Sequence, residues 1–388
     1  MIPAFWISIF IVFYTFFGYG ILLFFLVKLR ILFFRKRKIP DNGGNWPTLT
    51  VMVAAYNEED FIIEKIRNTL SLTYPEDKIT YIFVTDGSND RTPELIRGYS
   101  QIKLMHRPER GGKIAAMHRA MQEVHSDLAI FTDANTLLNK DALVNICRHY
   151  KDLTVGAVSG EKRVNIEDVE DATAGEGFYW KYESKLKTWD SELYSVVGAA
   201  GELFSIRTKL YEPVPADTIL DDFMISMLIA KKGYRIVYEP MAYATENGSE
   251  NVQEELKRKI RIAAGGIQSI VRLKELLNPF GNFVLSFQYI SHRVLRWTIT
   301  PFFMIAALVL NGLIVFLFTE FVYKLLFVCQ VVFYLLSLLG LVFEKKQMRV
   351  KIFFIPYYFC MMNYAVVAGI RRYLQGSQSA VWEKARRK

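Results

Sequence analysis

The sequence predicts an α/β domain carried between membrane-spanning helices, and three observations predict it. Long uncharged apolar stretches are confined to the two ends of the chain, the middle alternates short β-rich runs with amphipathic ones, and most of those runs finish in acidic or glycine-containing loops.

The apolar ends come first. At 388 residues, 52% hydrophobic and only 22% charged, the chain has room for one large domain and a few membrane helices but is too apolar for an ordinary soluble enzyme. Residues 5–27 carry no charge and exceed the ~20 helical residues that a hydrocarbon core requires. The segment is too long and aromatic for a cleaved signal, and no small-residue cleavage site follows it, so it reads as a retained anchor. Lys28, Arg30, Arg35, Lys36, Arg37 and Lys38 come next, and the positive-inside rule puts them in the cytoplasm with the amino terminus outward.

Residues 298–319 and 325–343 are two further uncharged spans joined around Glu320, the pattern of a helical hairpin through a bilayer. Glu344, Lys345, Lys346, Arg349 and Lys351 then return the chain to the basic side. Residues 352–370 form a fourth apolar segment, interrupted by Pro356 and Asn363. A full crossing would leave the basic tail outside, whereas an interfacial or re-entrant path keeps it in the cytoplasm; the second is the expectation. The expected segmentation is an anchor at 1–34, an α/β domain at 45–250, amphipathic interface helices at 251–297, a membrane region at 298–373 and a basic tail at 374–388.

The net charge of +9 sits largely beside the spans, which suits an anionic bilayer surface rather than nucleic acid. Cys147, Cys329 and Cys360 form neither a paired framework nor a metal-ligand spacing.

In the middle, LTVMVAA, ITYIFVT, IKLMH, LAIFTD and VGAVSG read as strands. YNEED, DGSND, RPERGGK and DAN follow the first four of them, and in open α/β sheets ligands bind outside the carboxyl ends of the strands, so these loops converge on one crevice. Neither GxGxxG nor GxxxxGK[ST] is present, which disfavours a nicotinamide enzyme or a simple nucleotide hydrolase.

Each motif has a plain structural reading as well as a chemical one. Asp86-Gly87-Ser88 is a turn sequence, and Asp90 caps the helix that follows Thr92 and Pro93. Gly111, Gly112 and Lys113 open a helix, where exposed amides and one cation suit a diphosphate or simply make a flexible start. Asp133 and Asn135 stand two apart at a strand exit, able to reach one ion or to form a polar loop. Asp221 and Asp222 begin an amphipathic helix whose amino terminus favours negative charge in any case. Residues 198–207, GAAGELFSIR, set small residues beside a strand, which lets a backbone approach a ligand closely or makes a tight core crossing.

Taken together, VAAYNEE, VTDGSNDRT, FTDAN, the LDD at 220–222 and ELKRKIRI resemble the processive, membrane-embedded family 2 glycosyltransferases, whose relatives make cellulose, hyaluronan and poly-N-acetylglucosamine. The likeness runs from Leu49 to about Gln268. It implies a GT-A-like (Rossmann-like) cytoplasmic domain with flanking transmembrane and interfacial helices, and an inverting transfer of sugar from a nucleotide diphosphate donor to a growing polysaccharide at the bilayer. The alternatives are a single transfer to a lipid-linked acceptor and a catalytically silent membrane scaffold, which would lack the acidic loops that Asp86, Asp133 and Asp222 supply here.

By the same resemblance Tyr56, Glu58 and Asp86 contact the nucleoside, and FTDAN stands for the family's DxD motif, with Asn135 replacing the second carboxylate. Asp133 and Asn135 would then hold the Mg²⁺ or Mn²⁺ that a diphosphate leaving group needs. LDD occupies the place of the TED motif, which makes Asp222 the general base. The QxxRW position carries Arg258 for the Gln and Ile262 for the Trp; Arg258 and Arg261 share one helical face, and a cation there is available to the diphosphate together with Lys113. RVLRW at 293–297 reads instead as an interface anchor ahead of a span, and Trp382 with Arg386 faintly resembles a gating tail.

Overall fold

In the computed structural model, which describes residues 1–34, 44–165, 173–247, 252–346 and 350–376, the middle of the chain forms one eight-stranded sheet. Its strands are β1 (Leu49–Ala55), β2 (Ile79–Asp86), β3 (Ile102–Arg107), β4 (Leu128–Asp133), β5 (Leu137–Leu138), β6 (Val155–Asn165), β7 (Leu203–Arg207) and β8 (Arg235–Asn247). They lie in the order β3-β2-β1-β4-β7-β6-β8-β5.

Strands β3, β2, β1 and β4 are mutually parallel, so the polar loops after all four open on one edge. Every residue of β1 is buried because both faces of the sheet are covered. Met52 and Ala54 face the core under the helix Lys113–Met121, while Leu49, Val51 and Val53 face the core that includes Ile62 and Ile66 of the helix Ile62–Leu70.

All five expected strands are present. The sheet is nonetheless mixed: β7 inserts antiparallel between β4 and β6, and the rings of Phe131 and Phe204 stack across that pair with centroids 4.5 Å apart. This insertion carries the small-residue stretch 198–202 to the exit of β4.

The four expected apolar spans are helical: Ile2–Phe34, Thr300–Leu317, Phe321–Lys345 and Ile352–Leu374 are each long and apolar enough to cross a membrane. The first is longer than its uncharged core and includes a π turn at Tyr14–Gly18. Phe10, Phe17, Phe25, Phe316, Val328 and Leu338 present exposed apolar surface, as a hydrocarbon environment demands. Arg35 to Lys38, Arg349, Trp382 and Arg386 lie outside the described residues.

One expectation is corrected. RVLRW does not point to the interface: Arg293 and Arg296 each reach the buried Glu183 at 2.9 Å, and Trp297 packs on Phe223 and on Gly266. A buried carboxylate retains its charge only beside cations, and these arginines hold Glu183 well below the usual carboxylate range against the effect of burial. The same knot includes His292, 2.6 Å from Asp190, and Tyr19 of the first apolar helix, whose hydroxyl donates to Asp190, so that helix is bolted to the α/β domain.

Candidate active site

The loop after β1 enters through Asn57, whose φ of 52° is the left-handed turn that lets the chain double back. Tyr56 lies beneath the guanidinium of Arg110 at 3.8 Å, and the pair lines a hollow with Asp86, Gly112 and Lys113. Asp86 is buried at the end of β2; its Oδ2 accepts from the Gly112 N–H at 2.5 Å, and Arg119 approaches its Oδ1 at 3.8 Å. Gly87 is required here: its φ is +70°, and a Cβ would come within 2.6 Å of Arg110 Cβ.

Glu58 is buried and does not line that hollow; its carbonyl accepts from Phe61 and Ile62 at the start of the helix Ile62–Leu70. Asp90 accepts from the Thr92 and Glu59 N–H groups, and these bonds hold its carboxyl below the ordinary value although burial acts the other way. Its place is structural, although the N-cap of the helix Thr92–Arg97 is Arg91 and Asp90 lies one residue ahead of it.

Lys113 is the centre of the arrangement. Its ammonium is 2.8 Å from Asp133 Oδ1 at the exit of β4 and 3.5 Å from Asp221 Oδ2 at the start of the helix Asp221–Lys231. Burial disfavours the ammonium, but Asp133 and Asp221 outweigh it and raise its pKa, so it stays charged. A second hollow, adjoining the first through Ala54, Val84 and Lys113, is lined by Asp133, Thr132 and Gly201.

Asp222 adjoins Asp221, and burial first and the Asp221 charge second push its carboxyl up to about 7, with Lys113 opposing. Gly201 is placed so that a Cβ would lie 3.1 Å from Asp222 Oδ2, which leaves the face of that carboxylate open. Ser226 fixes this juxtaposition: its hydroxyl donates to the Asp222 carbonyl at 2.7 Å and accepts from the Ala199 N–H at 2.9 Å.

Arg258 goes elsewhere than beside Lys113. It sits 3.7 Å from Glu202, 4.0 Å from Glu246 and 3.5 Å from Glu255, in a cluster completed by Lys162, 2.6 Å from Glu202. Glu202 is held ionised against burial by Lys162 and Arg258, and those glutamates in turn raise the arginine's pKa. Arg261 is half-buried on the same helix, Val252–Arg272.

The sequence reading missed Lys65, which is fully buried under the loop that carries Asp133 and Asn135. Its ammonium donates to Thr132 Oγ1 at 2.9 Å and to the Thr136 carbonyl at 2.8 Å, and burial pushes it down to about 7 while the Asp133 charge opposes that. Its signal was legible: a lysine between Ile62, Ile66 and Thr69 on the buried face of an amphipathic helix.

No group of three or more His, Cys, Asp or Glu able to hold a metal occurs among the described residues. Asp133 with the half-buried Asn135 nevertheless fits a hard divalent cation, which needs only one or two protein oxygens when phosphate and water complete its shell. That Asp133 and Asp221 already hold one cation, the Lys113 ammonium, shows the local field favours positive charge.

The Glycosyl transferase family 2 model matches residues 50–214. Over 247 residues the chain is 27% identical to the poly-beta-1,6-N-acetyl-D-glucosamine synthase of Staphylococcus aureus, covering 61% of this chain and 58% of that protein. It is 29% identical over 185 residues to the beta-monoglucosyldiacylglycerol synthase of Trichormus variabilis, covering 45% of this chain and 38% of that one. The matches thus span less than two thirds of either relative. The mannosyltransferase PcManGT of Pyrobaculum calidifontis, solved in complex with GDP-Man and Mn²⁺, superimposes with a TM-score of 0.72 at 23% identity, over 97% of this chain and 100% of that one. That likeness establishes the GT-A fold.

Proposed function

We propose, from the premise that this chain carries a family 2 glycosyltransferase domain, that it is an inverting transferase moving a sugar from a nucleotide diphosphate donor to a growing polysaccharide at the membrane. The observation that carries this reading is Lys113 held between Asp133 and Asp221, with Asp222 beside them and raised to about 7.

The nucleoside of the donor occupies the hollow of Tyr56, Asp86 and Arg110, and its diphosphate follows the amides of Gly111 and Gly112 to the Lys113 ammonium. Arg261 stands as a further cation for the diphosphate, whereas Arg258 is committed to Glu202, Glu246 and Glu255. Asp133 and Asn135 would hold Mg²⁺ or Mn²⁺, which supplies charge neutralisation for the leaving diphosphate.

Asp222 takes the proton from the acceptor hydroxyl as its oxygen bonds to the anomeric carbon, and the bond from that carbon to the diphosphate breaks on the opposite face. The nucleoside diphosphate leaves, the proton rests on the Asp222 carboxylate, and the configuration inverts because no protein nucleophile intervenes. A carboxylate near 7 is matched to this duty at neutral pH. The catalytic domain faces the cytoplasm of the plasma (inner) membrane, on the side of Lys28 and Arg30.

A second reading is a single transfer to a lipid-linked acceptor, favoured by the small number of apolar helices available to line a polymer path. Purified protein offered a panel of nucleotide sugars, with products sized, separates the two: a ladder or long polymer supports the first and one added sugar the second. No nucleotide release from any donor would contradict both.

A further inference from the structure

Among the described residues four helices are long and apolar enough to cross a membrane, but their contacts divide three from one. The first, Ile2–Phe34, pairs with the others level by level: the rings of Phe5 and Trp6 meet Tyr323 at 5.9 and 6.3 Å, and the hydroxyl of Thr15 meets that of Thr300 at 3.1 Å. Thr300 is the first residue of its helix, so Thr15 lies at the level where that helix begins.

The helix Lys351–Leu374 starts on the catalytic-domain side of that level, with Phe353 5.1 Å from Phe343. Its Phe359 ring lies 4.7 Å from Phe16 and 5.8 Å from Phe333, which is the level of Thr15. A crossing helix would carry Gly369 roughly 15 Å deeper at 1.5 Å per residue. Instead Gly369 rests on Ala263 and Ala264, so closely that a Cβ would come within 2.6 Å of Ala263 Cβ. The next residue, Gly265, abuts Ile219 and Leu220, which lead directly into Asp221 and Asp222.

The supporting helix Val252–Arg272 cannot itself lie across hydrocarbon. It carries Glu254, Glu255, Lys257, Arg258, Lys259 and Arg261, and its Arg272 is tied to Asp217 at 2.7 Å. Phe354, Tyr358 and Met361 pack on Val252 and Leu256 at its start, and Gly369 packs further along, so the two helices run side by side in the same direction.

We infer that Lys351–Leu374 does not cross the bilayer: it dips into the leaflet nearest the catalytic domain and lies along Val252–Arg272, with both of its ends on the catalytic side. Its partner on the outer face is phospholipid acyl chain, met by the exposed Ile352, Ile355 and Tyr364, continuous with the apolar surface of the three crossing helices. Its inner face walls off from lipid the ion-pair cluster of Arg258 and Glu255 that neighbours Asp222. This inference is independent of the chemistry proposed above.

The test is cysteine accessibility in sealed vesicles of one orientation, with Cys147, Cys329 and Cys360 replaced by serine. Leu374→Cys is compared with Lys103→Cys, on the catalytic domain, and Glu320→Cys, in the turn between two crossing helices. An impermeant maleimide is expected to modify Leu374→Cys from the side that modifies Lys103→Cys; modification from the side of Glu320→Cys would overturn the inference. As a second readout, a fluorophore at Tyr364→Cys is expected to be quenched more by nitroxide placed shallow in the acyl chain than by nitroxide at the bilayer centre. The reverse order would mean a crossing helix.

Discussion

The ammonium of Lys113 stands 2.8 Å from the carboxylate of Asp133, joining the start of one helix to the exit of a central strand. Because the same ammonium also reaches Asp221 at 3.5 Å, Asp133 and the first acid of the helix Asp221–Lys231 share a single cation. In the proposed reaction, donor and acceptor chemistry are therefore electrostatically linked through one side chain.

Removing the acid on the donor side should separate those roles. Asp133→Ala is expected to weaken donor binding and the response to added Mg²⁺ or Mn²⁺, and chelation should suppress turnover of the parent reversibly. Asn135→Asp adds a charged oxygen and should lower the metal concentration needed for half-maximal rate. Titration of rate against metal checks all three, and metal-independent turnover would contradict the assignment.

Gly201 should be intolerant of a side chain for a reason specific to catalysis. A Cβ 3.1 Å from Asp222 Oδ2 crowds the face on which an acceptor hydroxyl must sit. Gly201→Ala is expected to lower kcat by at least about tenfold, a barrier increase of about 1.4 kcal/mol, while leaving donor KM near the parent value. Steady-state kinetics with varied donor checks the split.

Lys65 makes a prediction about stability as well as rate. Lys65→Met removes the donor to the Thr136 carbonyl, leaving that buried acceptor short of a partner at a cost of about 1–3 kcal/mol, while Thr132 Oγ1 keeps its bonds to Thr136 Oγ1 and the Glu202 carbonyl. Thermal unfolding in detergent should show a lower midpoint. Because the loop above it holds Asp133 and Asn135, apparent metal affinity should fall too.

Asp222 should write its ionisation into the pH profile. A base must be deprotonated, so kcat/KM is expected to rise with pH through about 7 and then level off, and Asp222→Asn should lack that limb. The stability linkage has the opposite sign. A folded pKa above the unfolded value of 3.8 means that the full stability is present below about 4 and is lost as pH rises towards 7. Asp222→Asn should therefore unfold at a higher temperature than the parent at pH 8, with the difference shrinking in acid.

What could be read from the sequence is what is local. β1 to β4 and their loops were legible because each strand announces itself in a handful of residues and each acid stands at its own strand's exit. β7 was not, since its antiparallel place between β4 and β6 depends on partners remote in sequence. Arg258 looked like a cation for the diphosphate on a basic helix because Glu202 and Glu246, which claim it, come from the turn before β7 and from β8. RVLRW looked like an interface anchor until the buried Glu183 explained its arginines. Hydropathy gave the length of the last apolar helix and the basic tail behind it gave the expectation of an interfacial or re-entrant path, to which the structure adds the contact of Gly369 with Ala263.

The central claim, that Asp222 is the base of a donor site built around Lys113, is tested most directly by nucleoside diphosphate release in the presence of acceptor. Parent and Asp222→Asn proteins are compared with a nucleotide sugar that both bind. The account predicts equal donor affinity and a rate in the variant lower by about 10²–10⁴-fold. Equal release by the two proteins would contradict it.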